Sequence, residues 1–357
     1  MNPIFNSGDW SRIKNTYEAW WNRTLDRPVL NLTFYGKDPQ MPRPDGLITT
    51  EMFHLMNDPA MLVAKKMDYI LRSSEYAVDG YPYIWIYLGP IFAAEYYGAR
   101  AVIAQNTVWY KPDEYLNADE IKIRLDPDSV FYPRTIELYK AFRKYFKDTV
   151  ALSAPSAFCF DYLAMLMDSE DLSCNFYDMP EEVRARLDEI YEVSLDIKKD
   201  LMQYVGNAPG YTHWGGIFAP EPWDSMQCDF CAFISPAHFK TFVLPDLVKM
   251  VSDSPKYNYY HLDGEGELYH LDMICGIEDL KCIQWVANPG FPNDTKGWEV
   301  YKRISGAGKN IWYTGSLDSI ERLIYEIGTA KGIYWQGGFP LSEYDNVMKY
   351  IERFGIK

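Results

Sequence analysis

The sequence predicts an α/β protein, a (β/α)8 barrel with N-terminal helical additions. Three observations predict it. Short apolar runs rich in β-branched and aromatic residues alternate with longer, charged, amphipathic stretches, the pattern of buried parallel strands and their covering helices. The second half of the chain carries five such strand–helix units in succession, and repetition of that order suits a barrel. No glycine-rich phosphate loop follows an early strand, which counts against the alternative, a doubly wound open sheet.

The elements follow in order. Trp10–Arg23 reads as a helix and Pro28–Tyr35 (PVLNLTFY) as a strand. Glu51–Ser73 is helical in pattern, and Tyr83–Leu88 (YIWIYL) and Val150–Ser153 (VALS) are strand-like. Pro180–Val205 reads as a long helix, with acids in its first turn where the helix dipole favours them. Gly210–Phe218 (GYTHWGGIF) is strand-like, and Ser235-Pro236 opens a helix over 236–252 as N-cap and first position. The alternation then runs through strand Tyr257–His261, helix Glu267–Cys275, strand Leu280–Ala287 and helix Trp298–Ser305, which ends in Gly306. Strand Asn310–Thr314, helix Ser319–Ile327, strand Gly332–Gln336 and helix Ser342–Phe354 complete it. The whole chain, 1–357, is expected to be one domain, with 1–27 as a helical extension.

Composition narrows the function. An apolar fraction of 48% is that of a globular chain with a sizeable core, so disorder is not expected. The net charge of -15 argues against a nucleic-acid surface, which needs clustered Lys and Arg. No stretch approaches a membrane span, no basic start with an apolar run marks a signal peptide, and the scattered cysteines point to reduced thiols. A cytoplasmic protein is expected. The 29 Tyr, 18 Phe and 11 Trp imply an aromatic core with a homodimer interface, or a pocket for a flat or apolar ligand.

On a barrel, chemistry sits where strands end. The stretch YHLDGEGELYHLD, Tyr260 to Asp272, begins at one such end and holds two of the five histidines. His261 and Asp263 are two apart, which on a strand sends both side chains to one face. A metal site or an acid–base pair fits them, since a neighbouring carboxylate favours charged imidazole; the plain alternative is a His–Asp pair that orders the next loop. Glu265 follows in that loop. Asp229, after the 210–218 strand, and Asp161, after the VALSAPSAF segment, are further candidate carboxylates. His213, Trp214, Gln284, Trp285, Trp335 and Gln336 lie near other predicted strand ends and are candidates for binding substrate. Trp214, Trp285 and Trp335 would make an aromatic mouth, unless they pack in the core. Cys228 and Cys231 form a C-x-x-C pair, without the second pair of a zinc site or a thioredoxin-like context.

Residues 260–286, YHLDGEGELYHLDMICGIEDLKCIQWV, resemble the uroporphyrinogen decarboxylase superfamily, in its branch of corrinoid-dependent methyltransferases. His261-Leu262-Asp263-Gly264 stands where that branch has His-x-Cys-Gly. Gly315-Ser316-Leu317-Asp318 resembles its Gly-Asn-Val-Asp, and Gly337-Gly338-Phe339-Pro340 its Gly-Cys-Asp-Ile-Pro. The resemblance covers about 200–357 well. It covers the first half more loosely, through Trp20-Trp21, Arg27-Pro28-Val29 and Leu88-Gly89.

The resemblance implies transfer of a methyl group between a small methylated compound (an ether, amine or thiol) and a corrinoid presented by a partner protein. It also implies a zinc ion, with His261 and Asp263 as ligands. The chain departs from the branch in having Asp263 for its first cysteine and Gly337 or Gly338 for its second, so neither position supplies a thiolate. The alternatives are a metal-independent decarboxylase, for which the basic cluster that grips substrate carboxylates is missing, and a non-catalytic tetrapyrrole-binding barrel.

Overall fold

The apolar runs assemble into two sheets whose strands are almost all parallel. The structure, a computed structural model, describes residues 4–155, 159–287 and 295–356. In chain order the strands are β1 (Val29–Tyr35), β2 (Ser74–Val78), β3 (Tyr83–Ile84), β4 (Arg100–Ile103), β5 (Val108–Lys111) and β6 (Ala151–Ser153). They continue with β7 (Tyr211–Thr212), β8 (Asp224–Gln227), β9 (Asn258–Asp263), β10 (Cys282–Val286), β11 (Asn310–Tyr313) and β12 (Ile333–Pro340). One sheet has the order β2-β1-β12-β11-β10-β9-β8, and the other β3-β6-β7. Only β2 breaks the parallel register of these two sheets, pairing antiparallel with β1. Strands β4 and β5 form a separate antiparallel hairpin.

Strand parity sorts the side chains. Val29, Tyr259, Cys282, Trp312 and Tyr334 point inward and share one buried cluster with Ala151 of the smaller sheet. Their neighbours Leu30, Tyr260, Ile283, Trp285, Ile311, Tyr313, Ile333 and Trp335 point outward, into a second cluster shared with the helices. Both sheets therefore enclose a common inner core. Gln336 Nε2 reaches across it to donate to Tyr83 OH at 2.9 Å.

The first helix, α1 (Ser7–Trp21), is opened by a capping box between Asn6 and Asp9. It buries Ile13, Tyr17, Trp20 and Trp21 against the inner core. Asn310, the first residue of β11, donates through Nδ2 to the carbonyls of Trp20 and Trp21 at 3.2 and 3.3 Å. Thus α1 covers the end where the parallel strands begin. Arg27 also lies at that end, in a bidentate pair with buried Asp79 at 2.6 and 2.8 Å.

Several elements depart from expectation. The run at 210–218 forms a ladder only over Tyr211–Thr212, because the chain turns at Gly215 and Gly216, both at positive φ. A Cβ at Gly215 would lie 1.8 Å from Trp312 Cη2, so only glycine permits this close approach. Asp224–Gln227 is a strand that its polar sequence does not announce. The 51–73 helix is divided at Pro59 into a turn, Met52–Leu55, and a helix, Ala60–Arg72. The helix from Pro236 passes through a π-turn, Phe239–Val243, before Leu244–Asp253. The Pro180–Val205 helix has the expected bounds. No helix among the described residues is long and apolar enough to cross a membrane.

Candidate active site

Strand β9 delivers His261 and Asp263 to the same side at its C-terminal end. His261 Nδ1 lies 2.7 Å from Gln284 Oε1, its register partner on β10. An amide oxygen only accepts, so Nδ1 carries the proton and Nε2 keeps its lone pair. Burial lowers the His261 pKa, which keeps the ring neutral.

Asp229 approaches from the neighbouring strand, at the start of the turn Asp229–Phe233 that follows β8. Asp161 holds that turn. It is 1% exposed, and its carboxylate accepts from the Asp229 and Phe230 N–H groups, each at 3.0 Å. Asp161 is thus engaged with backbone, and it positions Asp229. Asp229 Oδ2 accepts from Gln227 Nε2 at 3.3 Å, while Oδ1 is buried without a hydrogen-bond partner. Burial, then the charges of Asp161 and Asp263, push the Asp229 pKa up to about 8. One ligand atom from each of Asp229, His261 and Asp263 lies within 4.8 Å of the others.

Glu265 is exposed and stands outside this group. The acid that supports the site is Glu267, which is fully buried. Its Oε1 accepts from the Asp263 N–H at 3.0 Å, and Tyr260 OH donates to its Oε2 at 3.0 Å. Burial first, then Cys231, push its pKa up to about 11, so Glu267 is a neutral acid at physiological pH. Nothing in the spacing of Glu265 and Glu267 separates their roles; the turn after Gly264 turns one outward and the other in. Cys228 and Cys231 are free, buried thiols, with Cys231 Sγ 3.8 Å from Tyr260 OH.

His261 and Asp229 open on a cavity of about 360 Å³ at the C-terminal ends of β3, β6, β8 and β9. Trp85, Tyr87, Phe92, Tyr96, Tyr139, Tyr162 and Trp214 line it. Trp85 and Tyr87 stack with centroids 4.4 Å apart. Trp214 meets the His261 ring edge-on at 4.8 Å. His213 also lines the cavity, with Nε2 against the Trp223 carbonyl at 2.7 Å; burial lowers its pKa to about 4. No Lys or Arg lines the cavity among the described residues.

Two expected mouth residues are elsewhere. Trp285 and Trp335 occupy outward positions of β10 and β12. Trp285 packs on Tyr301 at 5.4 Å, and Trp335 donates to the Gly315 carbonyl at 2.7 Å. Strand parity excludes both from the cavity. Trp85 and Tyr87 take the aromatic role instead, and their place in YIWIYL was the signal available for them. Gln336 points inward but is bonded to Tyr83; it does not line the cavity.

The donor set fits a divalent cation. It offers a neutral imidazole nitrogen and two carboxylates, one with a buried oxygen that lacks a partner. Three protein ligands with a fourth position open is the arrangement of catalytic zinc sites, and the Gln284 bond is the outer contact that orients such a histidine.

No protein-family model matches the chain, and no curated protein matches it in sequence. Among solved structures it is similar to a methyltransferase from Methanosarcina mazei, with a TM-score of 0.55 and 12% identity. The alignment covers 92% of this chain and 93% of that chain. At this identity the likeness is one of fold, and a mixed α/β architecture with a largely parallel sheet is common to nearly the whole of both chains.

Proposed function

We propose that the chain is a methyltransferase of the corrinoid-dependent branch of the uroporphyrinogen decarboxylase superfamily, with its two sheets as arcs of one (β/α)8 barrel. It would move a methyl group between a small methylated compound and a corrinoid brought by a partner protein. The observation that carries the reading is the convergence of Asp229, His261 and Asp263, of which Asp229 and His261 line an aromatic cavity at strand C-terminal ends. The fold likeness to an archaeal methyltransferase supports it. Against a decarboxylase of polycarboxylates stands the lack of a cavity-lining Lys or Arg among the described residues; Arg27 is committed to Asp79 at the opposite end of the strands.

Asp229, His261 and Asp263 would hold a zinc ion, which when bound supplies Lewis acidity toward the leaving heteroatom. Gln284 keeps His261 Nε2 unprotonated for that role. Trp214 restrains the imidazole from one side, and the remaining rings exclude water from the methyl group. In the absence of a metal, burial and the neighbouring carboxylates favour the protonated form of Asp229, which suits it to give a proton to a leaving oxygen or nitrogen.

The test is metal content per chain, for the wild type and His261→Ala after zinc exposure and desalting, together with methyl transfer from methylated ethers, amines and thiols to a reduced corrinoid. About one zinc in the wild type, lost in the variant, with turnover of one donor, is the expected result. Absence of turnover with every donor class would sink the reading.

A further inference from the structure

Four tyrosines line the cavity, and they are not equivalent. Tyr139 gives its hydroxyl to the Ser153 carbonyl at 3.0 Å, and Tyr96 shares its own with Thr135 at 2.8 Å. Tyr87 is only half-buried. Tyr162, in the short helix Asp161–Leu166, is buried, and its ring is stacked on Tyr97 at 5.4 Å. Its hydroxyl has no hydrogen-bond partner among the described residues, yet the oxygen is not sealed from solvent, so it opens into the cavity that the residue lines. The ring is held and one donor is left over. A ligand that fills this end displaces water from that hydroxyl. Unless the ligand accepts the phenolic proton, it leaves a donor unpaired at a desolvation cost.

That condition separates the classes of methylated compound. A protonated or quaternary ammonium has no lone pair with which to accept. A thioether sulfur accepts weakly. A carboxylate accepts well, but no Lys or Arg lines the cavity among the described residues to hold its charge. A neutral ether oxygen meets both demands, and Trp85 and Trp214 offer ring faces to an aryl body. The lone pair of His261 Nε2 is the cation's in the reading above, and an acceptor left without a partner is tolerated more readily than a donor.

We propose that Tyr162 sets the leaving atom: its hydroxyl donates to a neutral ligand oxygen, and the methylated compound is an aryl methyl ether. This deepens the methyltransferase reading and rests on it for the reaction. The C–O bond breaks and its electron pair stays on the oxygen that Tyr162 touches. The methyl group bonds to a reduced corrinoid, which supplies the new pair, and the oxygen takes a proton from Asp229 or water to leave as a phenol.

The experiment compares anisole with ethylbenzene, in which a methylene replaces the oxygen, by ligand-observed NMR titration of the full chain. Tyr162→Phe keeps the ring and removes only the hydroxyl. It is expected to weaken anisole by roughly 2- to 10-fold and to leave ethylbenzene within about twofold. The wild type gives an independent reading: anisole should outrank ethylbenzene by at least about fivefold once each affinity is divided by the compound's water-to-alkane partition coefficient. Equal weakening of both probes would make Tyr162 a packing residue and overturn the proposal, as would no change in either. Methyl transfer from an amine or a thiol but from no ether overturns it too, and leaves the methyltransferase reading standing. Oxygen-selective binding through Tyr162, with no methyl transfer from any donor to a reduced corrinoid, overturns the methyltransferase reading and leaves the Tyr162 contact standing.

Discussion

His261 and Gln284 face each other across the β9–β10 ladder as register partners, with 2.7 Å between Nδ1 and Oε1. The bond decides which imidazole nitrogen is available. Gln284→Leu removes the acceptor without adding charge, so the ring loses its fixed tautomer. Zinc affinity is expected to fall about 10- to 100-fold, the usual effect of losing such an outer contact. Competition titration against a chromophoric chelator reads it, with a melting curve to show that the fold persists.

Glu267 makes stability depend on pH with a definite sign. Its folded pKa of about 11 lies above its unfolded value of about 4.3. Between those values the folded chain binds the extra proton, so stability is greatest on the acid side and falls as pH rises. Asp229 acts in the same direction up to about pH 8. Each group can remove up to about 1.4 kcal/mol per pH unit. Glu267→Gln keeps a neutral acceptor for the Asp263 N–H and abolishes the Glu267 contribution. The variant should therefore gain on the wild type as pH is raised from 6 to 9 in denaturant melts; an unchanged difference across that range would refute the assignment.

Asp161 should act through the backbone. Asp161→Ala leaves the buried Phe230 N–H and the Asp229 N–H without their acceptor, at a cost of about 2–4 kcal/mol. Asp161→Asn retains an acceptor oxygen and removes a negative neighbour of Asp229. Its expected effect is a lower Asp229 pKa, which NMR titration of labelled aspartate carboxyls measures.

Trp285 and Trp335 test strand parity. Each packs among helix-side residues, so Trp285→Phe should lower stability by about 1–2 kcal/mol and leave ligand binding within about twofold. Trp214→Ala should do the opposite in kind, weakening ligand binding while opening space beside His261.

The last third of the fold was legible because its strands are short, apolar and separated by well-patterned helices; β9 to β12 each fall within a few residues of expectation. His261 and Asp263 were legible through two-residue parity. Trp285 and Trp335 were misassigned because a strand-end position does not by itself give the face, and the inward register had already been set by Gln284 and Gln336. Strand β8 was hidden because DSMQ is polar: outward Asp224 lies 2.5 Å from the Lys198 ammonium, and inward Ser225 and Gln227 line the cavity. Glu267 was visible as a residue, but its burial comes from the 3-10 turn Gly266–His270 after Gly264, which no periodicity in the sequence encodes.

The pairing of β1 with β12 has a consequence for biosynthesis. Leu30 sits opposite Trp335, and Asn310 anchors the carbonyls of Trp20 and Trp21. The earliest strand thus cannot complete its ladder, nor α1 its seat, until the ribosome has delivered the far end of the chain. At about 5–20 residues per second the nascent N-terminal segment, with its Trp pair uncovered, waits tens of seconds for its partners. During that interval the native contact that buries the pair does not yet exist.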